Sequence, residues 1–109
     1  MFAVSITAGV RHGMMEQTWR FWNEQVLFDK RHVPGFREAV VLLGQDHRSI
    51  REISLWESRE HADAILGNRW RPEVSRAFDY LLTGPPVVEC FDAISVGPLM
   101  GTGPFTGVM

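Results

Sequence analysis

At 109 residues, with 45% hydrophobic side chains and a net charge of −2, the chain has the size and balance of one globular domain. Its basic residues are scattered rather than striped, which excludes the electrostatic footprint of a nucleic-acid binder. One cysteine excludes an internal disulfide, and no apolar run approaches the ~18 residues of a membrane span.

The N-terminal residues lack a signal-peptide layout, so a soluble, cytoplasmic protein is expected. Four tryptophans and seven phenylalanines are many for this length. Each can bury ~150–250 Å², more than a small sheet with two helices hides alone. That surplus points to a homodimer.

Phe2 to Val10 alternates, with Phe2, Val4, Ile6, Ala8 and Val10 on one face. Period two with β-branched residues predicts a strand, and its second face is small and polar. From Met14 to about His32 the period becomes helical. Met15, Trp19, Trp22 and Val26 form one stripe, and Met14, Phe21 and Phe28 form another beside it. Together they cover about half the circumference, more than the ~100° that a single packing face needs. Pro34 ends the helix and Gly35 frees the backbone for a turn.

Phe36 to Leu43 and Ile50 to Glu57 read as two strands around a polar hairpin loop that opens on Gly44. Ser58 is placed as the N-cap of a helix running to about Leu66. That helix hesitates at Gly67-Asn68 and resumes at Pro72, a residue suited to a first helical turn. Thr83-Gly84-Pro85-Pro86 stops it. Val87 to Val96 alternates as a last strand, in which Cys90 reads as a small buried hydrophobe. Residues 1–96 thus form one domain, and the Gly/Pro-rich residues 97–109 form a C-terminal tail.

The order βαββαβ is the ferredoxin-like split motif, an α+β fold with a four-stranded antiparallel sheet and helices on one face. Two strings sharpen that reading: Val33-Pro34-Gly35-Phe36, and Ile53-Ser54-Leu55-Trp56-Glu57-Ser58. With them the chain resembles the antibiotic biosynthesis monooxygenase family from about Met1 to Val96. The resemblance implies a dimeric α+β barrel, in which two sheets face one another. It also implies oxygenation of a flat aromatic substrate without metal, flavin or other cofactor.

On that resemblance Trp56 is the leading candidate for a pocket-lining catalytic residue; packing in the core is its other reading. Glu52 and Ser54 share its strand face. A carboxylate on a half-buried strand is costly unless paired or wetted. Glu52 therefore either faces a pocket with a raised pKa as a general base, or sits at the rim paired with Arg51 or Arg48. His61, the histidine nearest Trp56 in sequence, is the other candidate base. Trp22, Ser54, Trp70 and Phe91 are candidates to hold a small hydrophobic or aromatic ligand, and Trp70 alternatively seals its helix against the sheet.

The family's quinone-forming members carry an asparagine four residues before this tryptophan and a tyrosine six after it; here stand Glu52 and Ala62. The haem-degrading branch carries a histidine nineteen residues after it, where Ser75 stands. His12, His32, His47 and His61 have no i, i+4 pairing or accompanying carboxylates, so no metal site is expected. Two functions stay open: a cofactor-independent monooxygenase, or an isomerase, cyclase or small-molecule-binding dimer on the same fold.

Overall fold

The computed structural model of the chain describes residues 1–66 and 70–97. Strand β1 (Phe2–Gly9) lies inside a four-stranded sheet of order β2-β3-β1-β4. It pairs antiparallel with β3 (Ser49–Trp56) on one side and with β4 (Val87–Asp92) on the other. β2 (Phe36–Leu43) pairs antiparallel with β3 and forms one edge. This is the expected ferredoxin-like βαββαβ architecture.

Register decides which side chains meet the helices. Phe2, Val4, Ile6 and Ala8 of β1 stand opposite Trp56, Ser54, Glu52 and Ile50 of β3. These eight share one face, and each is buried. The opposite face carries Ala3 and Ser5 of β1, Ile53 and Leu55 of β3, Val40 and Leu42 of β2, and Val87 and Phe91 of β4. No helix among the described residues covers it. Phe91 is 50% exposed and Val87 58%.

The long helix expected from Met14 to His32 forms as three consecutive pieces. They are α1 (Met15–Phe21), a π-helical turn (Trp22–Val26) and α2 (Leu27–Arg31). A π turn inserts a residue into the α repeat and turns the later side chains. Here Met15, Thr18, Trp22, Val26, Leu27 and Lys30 are buried. Trp19, expected in one stripe with Met15, Trp22 and Val26, is 37% exposed while those three are buried, because Thr18 takes the inward position of that turn.

The two strings singled out in the sequence meet in space. Gly35, at φ +89°, lets the chain reverse out of α2, and its carbonyl accepts the Glu57 N–H at 2.8 Å. Phe36 pairs with Trp56, their rings edge to face at 5.4 Å. Ser58 accepts the His61 N–H at 3.4 Å and opens α3 (Arg59–Leu66) as its expected cap. Pro72 begins α4 (Pro72–Leu81), whose buried Val74, Ala77, Phe78 and Leu81 close the core over the sheet.

Two expectations need correction, and two lie outside the described residues. The last strand ends at Asp92 rather than Val96; the Ala93 N–H turns to the Met1 carbonyl, and Ile94 and Val96 stand in solvent. Cys90 is exposed, because the helices do not extend over the β4 edge. The helix pause at Gly67-Asn68 and the tail beyond Gly97 lie outside the described residues.

Candidate functional site

Between the helix-facing side of the sheet and the α3–α4 region lies a cavity of about 240 Å³. Val4 and Ile6 of β1 and Ser54 and Trp56 of β3 line it from the sheet. Ile65 of α3 and Trp70, just before α4, line it from the helix side. Among the described residues the wall is apolar apart from Ser54, the tryptophan N–H groups and one cation, Lys30 of α2.

Trp56 is 1% exposed, and its indole N–H donates to Ser54 Oγ at 3.0 Å. The Ser54 hydroxyl in turn points to the Val4 carbonyl at 3.5 Å, a long bond across to β1. Both polar groups are thereby occupied by each other and by the backbone. Trp70 crosses the ring of Phe78 edge to face at 5.1 Å, and its own ring lies 5.9 Å from Lys30 Nζ. It packs against the helix through Phe78 and walls the cavity at once.

Glu52 does not sit at a solvent rim, and neither Arg51 nor Arg48 is its partner. It is fully buried: Oε2 accepts from Lys30 Nζ at 2.6 Å, and Oε1 accepts from Trp22 Nε1 at 2.9 Å. Nor does it face the cavity as a free base would, because Lys30 stands between. Held by one donor on each oxygen and absent from the cavity wall, the carboxylate is not presented to a substrate.

The other predicted residues scatter. Trp22, 0% exposed, stacks on Phe78 at 5.5 Å and reaches the site through Glu52 alone. His61 lies at the turn rather than on the cavity wall; its Nδ1 is 2.8 Å from Ser58 Oγ, and its ring packs on Gly35. Phe91 belongs to the opposite face of the sheet, beside Ala3, and cannot touch a ligand near Trp56. Among the described residues no group of three or more His, Cys, Asp or Glu side chains comes together.

Lys30 was missed. Its signal is positional: Trp22, Val26 and Lys30 follow at intervals of four and continue the inner stripe. A second hollow of about 280 Å³ shares Lys30, Ile65 and Trp70 with the first, on the side of Gln25 and Arg71. There Arg71 pairs with Asp29 at 3.1 Å. Among the described residues the cavity that holds Trp56 has one charged side chain on its wall, Lys30, and the second hollow has three, Asp29, Lys30 and Arg71.

No family model matches the sequence, and no curated protein matches it. Solved structures do. A monooxygenase from the gene ActVA-Orf6 of Streptomyces coelicolor, in complex with nanaomycin D, superposes with a TM-score of 0.67 at 20% identity, over 90% of this chain and 92% of its own. A variant of SnoaB, a cofactor-independent oxygenase from Streptomyces nogalater, gives 0.66 at 19% identity, over 90% and 98%. A third structure, of an antibiotic biosynthesis monooxygenase, gives 0.69 at 14% identity, over 87% and 100%.

The chain has the antibiotic biosynthesis monooxygenase fold. At these identities the architecture is shared, and the side chains of the cavity are this chain's own. Where the family resemblance implies a tyrosine, the monooxygenase fold here carries Ala62, fully buried on the cavity wall. Where it implies an asparagine, Glu52 lies behind the wall and reaches the cavity through Lys30.

Proposed function

We propose that the chain is a cofactor-independent monooxygenase that oxidises a small, flat aromatic or polyketide-like molecule as a homodimer. One observation carries the reading: a largely apolar cavity walled by Trp56 and Trp70 inside this fold, with Lys30 as the one cation among its described wall residues. Aromatic walls favour stacking of a planar ring system. An electron-rich ring bound there passes electrons to O₂ directly. For an anthrone the ring CH₂ becomes a carbonyl, one oxygen atom enters that carbonyl, and the other leaves as water. That balance needs no further reductant.

The uncovered sheet face supports the second half of the proposal. Leu42, Val87 and Phe91 are each at least half exposed on it. A face that large and apolar is unusual for a monomer in water.

Metal-free protein mixed with anthrone-type phenols tests the activity by oxygen uptake. Uptake well above buffer, lost in Trp56→Ala, is the expected result. No uptake across a broad panel removes the oxygenase.

A second reading is favoured by a specific feature. Among the described wall residues Lys30 is the sole titratable group, so the cavity offers a cation and no side-chain base. A plain binding protein on the same fold fits that wall, whereas an isomerase or cyclase that moves protons there would have to use water as its base. Quenching of tryptophan fluorescence by ligands that are never turned over is its signature.

A further inference from the structure

An ammonium group placed against apolar walls is costly unless something holds it there. Lys30 is 3% exposed and sits in the last turn of α2, where a lysine side chain would ordinarily reach out to water. Glu52 Oε2, at 2.6 Å, turns it inward instead. Trp22 pins the other carboxylate oxygen, so Glu52 is itself fixed. Trp70 lies on another side of the ammonium, 5.9 Å from its ring centre, within the ~6 Å reach of a cation–π contact. The result is a charge locked beside the cavity by buried Glu52, which Trp22 holds in turn, and by half-buried Trp70.

An ammonium has three N–H donors, and Glu52 takes one. Of the other polar groups on the described wall, Trp56 donates to Ser54 and Ser54 to the Val4 carbonyl, and the Trp70 indole N–H is a neutral donor. Lys30 is therefore the strong donor that the described wall presents to a ligand. We propose that it is a ligand-oxygen subsite: it receives a ring carbonyl, or the enolate oxygen formed from that carbonyl, of a ligand with two or three fused rings. This rests on reading the cavity as the substrate site.

Size and charge both narrow the ligand. At about 240 Å³ the cavity falls below the ~300 Å³ where drug-sized pockets begin. Lys30 and Glu52 together are neutral, so a neutral ketone enters without adding a net charge to a buried site. When the ketone loses a ring CH₂ proton to water, the negative charge gathers on the oxygen against the ammonium. That is stabilisation of a developing oxyanion by a donor already in place.

The test compares anthrone with 9,10-dihydroanthracene, nearly the same shape with CH₂ in place of C=O, by quenching of tryptophan fluorescence. Hydrophobicity alone favours dihydroanthracene. The subsite predicts that the wild-type protein binds anthrone about tenfold or more tightly. Lys30→Met, and the double variant Lys30→Met with Glu52→Gln that removes both charges, should lose that preference and still bind dihydroanthracene within about twofold of wild type. Equal wild-type affinities, or a preference that survives in either variant, overturns the subsite even if the other variant fails to fold. Oxygen uptake is followed separately. Preference without uptake keeps the subsite and removes the oxygenase; uptake without preference does the reverse; binding of neither ligand removes both.

Discussion

Lys30 Nζ stands 2.6 Å from Glu52 Oε2, with the two side chains 4% and 0% exposed. Removing one member leaves the other charged, buried and alone, at a cost of about 3–5 kcal/mol. Removing both leaves a neutral core of similar volume. Lys30→Met should therefore destabilise the protein by about 3–5 kcal/mol, and adding Glu52→Gln should restore more than half of that loss. Urea unfolding of both variants and wild type measures the difference. Additive costs would show that the pair is not coupled.

Ser54 holds the Trp56 indole N–H, and both are within the core. Ser54→Ala orphans that donor without opening a large hole, at an expected cost of about 1–3 kcal/mol. In a Trp56→Phe background there is no N–H to orphan. The same serine substitution should then cost under about 1 kcal/mol, the range of a lost hydroxyl with no orphaned partner. A thermal or urea double-mutant cycle decides it; equal costs in both backgrounds would mean that the 3.0 Å contact contributes nothing.

Much of this was legible in the chain, and the reasons for the misses are physical. The Pro34-Gly35-Phe36 turn and the strand ending on Trp56 carry strong local signals, since only certain residues stop a helix or reverse a chain. Lys30 carried the opposite signal. A lysine in a last helical turn ordinarily serves the helix dipole, and only the tertiary position of Glu52, 22 residues away, turns it inward. The π turn at Trp22–Val26 left no mark in hydropathy, because it is a change of backbone hydrogen bonding. Phe91 was misplaced because both faces of the β4 sequence carry apolar side chains. Alternation separates its residues into two sets without saying which set meets the helices.

Gly35 is required twice over. Its φ of +89° suits glycine, and a Cβ built there would lie 2.2 Å from His61 Cγ and 2.5 Å from His61 Cβ. Gly35→Ala should cost at least about 2 kcal/mol, from the backbone strain together with the collision. His61→Gly in the same chain, which removes the Cβ as well as the ring, should return only the collision part once the cost of His61→Gly alone is subtracted. Complete rescue would show that the left-handed backbone carries no cost. The readout is the shift in urea midpoint for the single and double variants.

The uncovered sheet face should bring two copies together. Ile53 and Leu55 stand at its middle strand, half-buried, while Phe91 and Val87 are exposed on β4 and Leu42 on β2. These residues spread over three of the four strands, including both edges of the sheet, as an interface of ordinary size, about 800 Å² per partner, would require. The cavity opens on the other face of the sheet, so a charge placed here disturbs association without touching the ligand site. Wild-type protein at micromolar concentration should sediment as a dimer. Ile53→Asp should sediment as a monomer or fail to accumulate, and Phe91→Glu, at the more exposed edge, should weaken the dimer at least tenfold while remaining folded. A wild-type chain that sediments as a stable monomer would remove the second copy from the proposal and leave the Phe91 face without a partner.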